Sequence, residues 1–333
     1  RAPTAAMIGV LAAGTARNKR YAAARAWITF RDSECRYLTQ QDVSARGYGA
    51  LVRGCLVEQI EERMEELREA EVVLAARSAI PLINVELLFG GGSAADGKHP
   101  EGTASFTYSM LDEGADGMDP IEIARKAELI GAQLYAGASL DNGYVGVSAL
   151  AEKIGPSLAM LEALVRKPEF PAREFERARK QWLSSIAQEK SQPGGLAQRI
   201  LPPLLYGEGH PYAMPFSGSG TESSIAALQR DDLVSYHAQW LRPDNARIIV
   251  AGDTRMDKIL PLLEKSFGQW PLPAGPAPSI EIVDVKLPNT PRVFLVNRNE
   301  APQTLIIAGL LGPSSRAPNV TACLLYTSDA ADE

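Results

Sequence analysis

Cysteine and histidine are scarce in this chain of 333 residues, which holds three of each. Cys35 and Cys55 lie near the N-terminal end and Cys323 near the other, so the long stretch between them has no cysteine. The cysteine content therefore predicts no disulfide-stabilised fold, and it does not indicate the cellular compartment. Because a zinc site needs several converging ligands, the scattered histidines predict no metal site. They lie at positions 99, 210 and 237.

Long apolar runs are also missing, since no stretch approaches the roughly 18 residues of a membrane span. A hydrophobic content of 45% and a charged content of 22% are typical of a soluble globular protein. The length predicts about two domains. The chain begins with arginine rather than methionine. We therefore expect it to start inside a longer protein, and the lack of a leader segment carries no weight.

The most informative stretch runs from residue 87 to residue 115 and combines a strand, a glycine-rich turn and a helix. Residues 83–89 alternate with a period of two, which predicts a strand. Three glycines at 90–92 end it, because glycine accepts backbone angles that other residues avoid. A helix is predicted to begin at Gly102 and to end at Gly114, in the usual C-terminal position of glycine.

The helix sequence GTASFTYSMLDEGA, residues 102–115, carries a family resemblance. It resembles the pitrilysin/insulinase family of zinc metallopeptidases, which includes the mitochondrial processing peptidases. Members carry an inverted His-x-x-Glu-His motif in the frame Gly-x-Ala-His-x-x-Glu-His-Met-Leu-x-x-Gly-Thr. The frame residues match here, but Ser105 and Ser109 stand at the two histidine positions and Tyr108 at the general-base position. A third family ligand, a glutamate on a later helix, corresponds to Ser185.

All four chemical positions are thus replaced, and neutral hydroxyls are poor zinc ligands. The resemblance implies a non-catalytic, second-half copy of the peptidase, with no catalytic residue and no metal ligand. We expect no cofactor in this chain and zinc in a paired catalytic half.

The resemblance covers about residues 70–322 and implies an α+β fold. We expect a metallopeptidase-like half with a mixed, mainly antiparallel sheet covered by helices, followed by a truncated second copy of the fold. Helices are predicted at 121–130, 152–166, 172–190, 196–205, 231–240 and 257–267. Strands are predicted at 71–76, 81–89, 132–138, 144–150 and 246–251, and in the second copy at 292–296 and 303–308.

The remaining segments give the domain organisation. Residues 1–54 carry nine Lys or Arg against three acids, and we interpret them as an unassigned linker or as misread sequence rather than as a basic arm. Residues 55–69 are predicted to form a helix that leads into the domain at 70–270. A proline-rich linker at 271–284 precedes the truncated second domain at 285–322. The tail at 323–333 reads like a translated sequencing adapter.

One segment is a candidate for substrate binding. In active relatives the strand after the central helices is an edge that pairs with bound peptide through main-chain hydrogen bonds. The matching residues are Leu134, Tyr135, Ala136 and Gly137, for which plain sheet is the alternative. His210 lies in a loop that matches the family's Gly-x-x-His-Pro-Tyr pattern, and we expect a structural role for it.

Two functions remain open, and they belong to different classes. One is the inactive half of a zinc peptidase, which helps enclose and bind an unfolded peptide. The alternative is a non-enzymatic scaffold subunit of the same fold, like the core proteins of respiratory complexes. The expected partners are a catalytic half, in the same polypeptide or in a homologous subunit, and an extended peptide. We expect no nucleic acid and no transmembrane segment. A net charge of −6 suits a basic peptide, and the family favours the bacterial periplasm or cell envelope.

Overall fold

A computed structural model describes residues 72–285, 290, 292–297 and 304–312. Almost all of them lie in one compact unit that contains Ala75–Leu311. The second unit, Gly9–Leu74 with Gly312–Glu333, lies largely outside the described residues, and so do the predictions for residues 1–54, 55–69 and 323–333.

A five-stranded sheet forms the centre of this unit. Its strands are β1 (Val72–Ala76), β2 (Leu82–Gly90), β3 (Gln133–Ala138), β4 (Asn142–Leu150) and β5 (Ala246–Gly252). Their order in the sheet is β1-β5-β2-β4-β3. β2 pairs antiparallel with both β4 and β5, and β3 pairs antiparallel with β4. The amide of Arg77, just after β1, donates to the carbonyl of Gly252 at the end of β5, so these two strands run parallel. The predicted mixed, mainly antiparallel sheet is confirmed.

Residue alternation decides which face of the sheet carries the core. Val85 of β2 lies opposite Val147 of β4 and Val250 of β5, and all three side chains are buried. On each strand, the residues next to these valines point to the other face of the sheet. Examples that are more exposed are Asn84 and Ser148. Burial of the apolar set on one face fixes the register, because a slip of one residue would turn the whole set to the other face.

Eight helices lie before, between and after the later strands in the described part of the chain, and several follow the start and stop signals in the sequence. Asp119 and Glu122 form a reciprocal capping box at the start of the second helix, and Gly131 ends it in the left-handed conformation. Each helix predicted within residues 102–267 is present, with bounds shifted by zero to three residues except at the central helix. The helices are α1 (Thr103–Ser109), α2 (Pro120–Ile130), α3 (Ile154–Arg166), α4 (Ala172–Ser191), α5 (Pro193–Tyr206), α6 (Glu222–Ala227), α7 (Arg230–Trp240) and α8 (Met256–Phe267).

The central helix α1 is shorter than predicted, because it ends at Ser109 rather than near Gly114. The amide of Met110 bonds to the carbonyl of Thr107, a tighter turn than the α-helical one, and the chain then leaves the helix axis. Gly114 serves a different purpose. Its backbone lies against Pro171, whose Cγ would be 2.7 Å from a side-chain carbon at this position.

The strands predicted at 292–296 and 303–308 do not form in the described parts of these segments. Val293, Leu295 and Ile306 are 94%, 92% and 87% exposed. A strand of the predicted kind needs a neighbour for its main-chain groups and a partner for its apolar face. Neither is provided among the described residues, so the apolar pattern alone does not produce a strand.

Candidate functional site

The site is built on α1, and a buried carboxylate holds the start of this helix. Asp96 accepts hydrogen bonds from the amides of Gly102, at 2.6 Å, and Ala104, at 2.7 Å. Burial raises the pKa of Asp96 to about 7, although the two amide hydrogen bonds act in the opposite direction. Gly102 is left-handed, with φ of 95°, which lets the chain turn sharply into the helix. Asp96 thereby fixes the direction in which α1 presents its side chains.

Ser105, at the first histidine position of the family motif, is buried beneath a neighbouring loop. A side-chain carbon on Gly218 would lie 2.6 Å from its Oγ, so the two segments are in close contact. The Ser105 Oγ has no hydrogen-bond partner among the described residues. A small hydroxyl therefore occupies a space that the loop has closed.

Tyr108, at the general-base position, is fully buried. Its ring lies over Gly143 of β4, where a side-chain carbon would come within 1.9 Å of the Tyr108 Cζ. It also makes an edge contact with Tyr236, at a centroid distance of 6.4 Å. The hydroxyl has no partner among the described residues, and burial raises its pKa. A large aromatic ring thus stands where the family places a reactive carboxylate, and it is part of the core.

The other two replaced positions use their hydroxyls within their own helices. Ser109 Oγ donates to the carbonyl of Phe106 at 2.8 Å, and Ser185 Oγ donates to that of Gln181 at 3.1 Å. Ser185 is exposed on α4. Within the described parts of the chain, no group of three or more histidine, cysteine, aspartate or glutamate side chains could hold a metal ion. The residues at the four positions do not fit zinc.

The two helices that carry these positions are nevertheless packed together. Phe106 of α1 lies 5.3 Å from Trp182 and 5.6 Å from Phe175 of α4, measured between ring centroids. Three of the four replaced positions thus share the short helix α1. The fourth, Ser185, lies about one helical turn beyond Trp182, which contacts α1. The helix pair of the family pattern persists although its ligands are absent.

A polar cluster that the sequence did not suggest holds the loop over Ser105. Arg199 of α5 donates to Glu189 of α4 at 2.8 Å and to Ser219 Oγ at 2.7 Å, and it also bonds to the Gly220 carbonyl. Trp182 Nε1 donates to the Ser219 carbonyl at 2.9 Å. Glu189 and Arg199 are ten residues apart on different helices, a spacing that carries no periodic signal. We call these residues, with Gly218, the loop clamp.

The predicted substrate segment, residues 134–137, lies on β3 at the margin of the sheet. The Tyr135 hydroxyl donates to Asn84 Oδ1 at 2.7 Å and lies 3.2 Å from Glu86 Oε2. Burial first, and then the Glu86 charge, raise the pKa of Tyr135 to about 12. Tyr144 covers Gly137, where a side-chain carbon would lie 2.5 Å from its hydroxyl. Tyr135 therefore links β3 across β4 to β2, and Tyr144 of β4 lies against Gly137 of β3.

The three histidines lie apart, each in its own contacts. His210 Nδ1 accepts from the Tyr212 amide at 3.0 Å, so its Nε2 carries the proton and donates to the Val283 carbonyl at 2.9 Å. His237 Nε2 bonds to the carbonyl of Val165, and burial lowers the pKa of His237. His99 lies 3.5 Å from Asp232. These contacts tie loops and helices together.

Family models match most of the folded unit. The model "Insulinase (Peptidase family M16)" matches residues 71–209, and the model "Peptidase M16 inactive domain" matches residues 227–327. The chain belongs to the insulinase family of peptidases, M16. A further model, "Lysozyme inhibitor LprI", matches residues 10–67, which the structure does not describe, so the interpretation of residues 1–54 stays a prediction.

Relatives agree with this assignment. The "non-peptidase homolog YmxG" of Helicobacter pylori is 25% identical over 67% of this chain and 51% of its own length. An "uncharacterized zinc protease" of Mycobacterium tuberculosis is 24% identical over 73% of this chain and 54% of its own length. A solved structure titled "peptidase M16 inactive domain" from Pseudomonas fluorescens is 31% identical, with a TM-score of 0.58, over 64% of this chain and 50% of its own. The chain thus spans about half the length of the relatives it matches.

The inactive-domain model of the family matches residues 227–327, and the four motif positions in the earlier part of the chain hold serine or tyrosine in place of the family's ligands and base. Among the described residues, no helix combines the length and the apolar character needed to cross a bilayer.

Proposed function

We propose that this chain is part of a non-catalytic peptidase half that helps enclose and bind an extended peptide, while a catalytic half supplies the zinc. The observation that carries the proposal is a preserved scaffold around a filled site. α1 still packs between the sheet and α4, yet Tyr108 occupies the base position as a core residue. A half of this kind can give shape and contacts to a peptide without chemistry of its own.

Strand β3 supports the peptide-binding part of the proposal. It is the last strand in the order of the sheet, and α1 lies beside it. The Ser139 amide bonds back to Asn142 across the hairpin. Because amides alternate in direction along an antiparallel strand, those of Leu134 and Ala136 point away from β4. These are the groups that an added peptide strand would use.

A substitution at Ala136 tests this use of β3. Ala136→Pro removes one outward amide without removing a ladder bond to β4, and proline is tolerated on edge strands. The control Ala136→Ser keeps the amide. We expect Ala136→Pro to weaken binding of a fluorescent extended peptide about fivefold in fluorescence anisotropy, since each lost main-chain bond contributes about 1 kcal/mol. Equal affinities of the two variants would contradict the edge-strand role.

Metal analysis tests the non-catalytic part. We expect the purified chain to hold no stoichiometric zinc after dialysis and to leave casein and quenched peptides uncleaved. Retained zinc together with chelator-sensitive cleavage would overturn the proposal. If the chain binds no extended peptide, alone or with a catalytic half, the scaffold function takes its place.

A further inference from the structure

Tyr135 spans two neighbouring strands of the sheet from the edge strand β3. Its ring crosses β4 over Gly146, where any side-chain carbon would overlap it. On β2 its hydroxyl donates to Asn84 Oδ1 at 2.7 Å and lies 3.2 Å from Glu86 Oε2. One side chain of the edge strand is therefore bonded to a strand that is not its neighbour in the sheet.

Glycine weakens the pair formed by β3 and β4, and this gives the bond to β2 its importance. β3 contains Gly137, and β4 contains Gly143 and Gly146. A glycine inside a strand has no side chain to pack and loses more backbone freedom on folding than other residues. Among the described strands, β3 also has a neighbour on one side only. The Tyr135 hydroxyl thus adds a second attachment to the ladder that joins β3 to β4.

An added peptide strand needs β3 to keep its position, because the outward amides of Leu134 and Ala136 must face the peptide together. When a binding-competent arrangement is only fractionally populated, the apparent affinity falls by that fraction. The Tyr135 ring lies over β4, so its hydroxyl is turned away from the free edge of β3. An effect of this hydroxyl on peptide binding must therefore act through the position of the strand.

We propose that Tyr135 is a positioning residue, whose hydroxyl holds β3 where its free edge can pair with a peptide. The inference rests on the proposed peptide-binding function and gives the Tyr135 side chain a part that main-chain pairing alone does not include. Tyr144 provides the contrast within the same two strands. Its ring lies over Gly137, but its hydroxyl makes no hydrogen bond within the described part of the chain.

Phenylalanine variants of the two tyrosines test the proposal with the whole chain and a fluorescent extended peptide. Tyr135→Phe keeps the ring over Gly146 and removes the bond to β2. We expect it to weaken peptide binding about three- to fivefold in fluorescence anisotropy, as the loss of one hydrogen bond allows. The matched control Tyr144→Phe removes a hydroxyl without a partner and should leave the affinity unchanged.

Changes at the acceptors separate a hydroxyl that holds the strand from one that contacts the peptide. Asn84→Ala/Glu86→Ala removes both acceptors and should weaken binding as much as Tyr135→Phe, with no further loss when the two changes are combined. Asn84→Asp/Glu86→Gln keeps the net charge and an acceptor oxygen at each position, so it should bind like the wild type. All affinities are measured where urea unfolding shows every variant to be folded, so a smaller folded fraction cannot imitate the effect.

The outcomes separate this inference from the peptide-binding function. Wild-type affinity in Tyr135→Phe would overturn the inference and leave peptide binding intact. Weaker binding by Tyr135→Phe together with wild-type binding by Asn84→Ala/Glu86→Ala would indicate a direct contact with the peptide, and it would overturn the inference as well. Equal losses in Tyr135→Phe and Tyr144→Phe would do the same. Absence of binding by the wild type would overturn both proposals.

Discussion

Two tyrosines in contact at the filled site should respond in opposite directions to the same deletion. The Tyr108 hydroxyl is buried without a partner among the described residues. The ring centroid of Tyr236 lies 6.4 Å from that of Tyr108. The Tyr236 hydroxyl is also buried, but it donates to the Gly91 carbonyl. Removing one oxygen atom from each therefore compares an unsatisfied donor with a satisfied one in a single environment.

The magnitudes follow from the cost of leaving a buried polar group unpaired, about 1–3 kcal/mol. Tyr108→Phe removes such a group and keeps the ring over Gly143, so we expect it to stabilise the unit by about 1 kcal/mol. In a unit of this size that raises the melting temperature by about 2–4 °C. Tyr236→Phe removes the donor and leaves the Gly91 carbonyl short of a partner, so we expect a loss of about 1–3 kcal/mol.

Urea unfolding followed by tryptophan fluorescence measures both changes, since Trp182, Trp240 and Trp270 all lie in the described unit. Equal slopes for the wild-type and variant transitions are needed before the midpoints are compared. A loss of 1 kcal/mol or more in Tyr108→Phe would refute the reasoning. It would indicate that a buried water satisfies the Tyr108 hydroxyl and that the site is not dry.

Three further predictions concern the same helix and its surroundings. The folded-state pKa of Asp96 is raised to about 7 from 3.8, so its contribution to the free energy of unfolding is present at low pH and is lost as the pH rises toward 7. In parallel urea titrations, the wild type should therefore lose stability relative to Asp96→Asn between pH 4 and pH 8. Gly143→Ala should cost more than about 2 kcal/mol in thermal unfolding, since the added carbon overlaps the Tyr108 ring, whereas Gly155→Ala, in open space, should not. Restoring all four motif positions should allow some zinc binding in metal analysis without turnover in a peptidase assay, because the orienting partners of the ligands are not restored; turnover like that of an active relative would contradict this.

Much of the fold could be predicted from the sequence because its signals are local. Pro120 and Gly131 bound α2, and strict alternation places β2 with its odd residues inward. The early end of α1 was not predictable in this way. It depends on the burial of Met110 and Leu111, which the helical period alone assigns to a continuing helix.

The site divides in the same way. The replaced positions were visible because the frame of the motif surrounds them in the sequence. The loop clamp was not, because Arg199, Glu189 and Ser219 come from two helices and a loop and meet only in the folded chain. Asp96 gave no signal either, since a single aspartate in a polar loop is typical of an exposed turn. Its role depends on burial against the start of α1.

The packing around positions 105 and 108 opposes a return of the family's ligand and base residues. This bears on how the chain can function. A glutamate at position 108 alone would place a carboxylate in a fully buried space where the present hydroxyl finds no partner among the described residues, at a cost of several kcal/mol. A histidine at position 105 alone would need the room that Gly218 and the loop clamp now occupy. Either reversal is compensated only if zinc arrives, and zinc needs the other ligands first. Since no single substitution rebuilds the site, we expect the function of this chain to depend on the surfaces around it, of which the edge of β3 is the one that we propose binds a peptide.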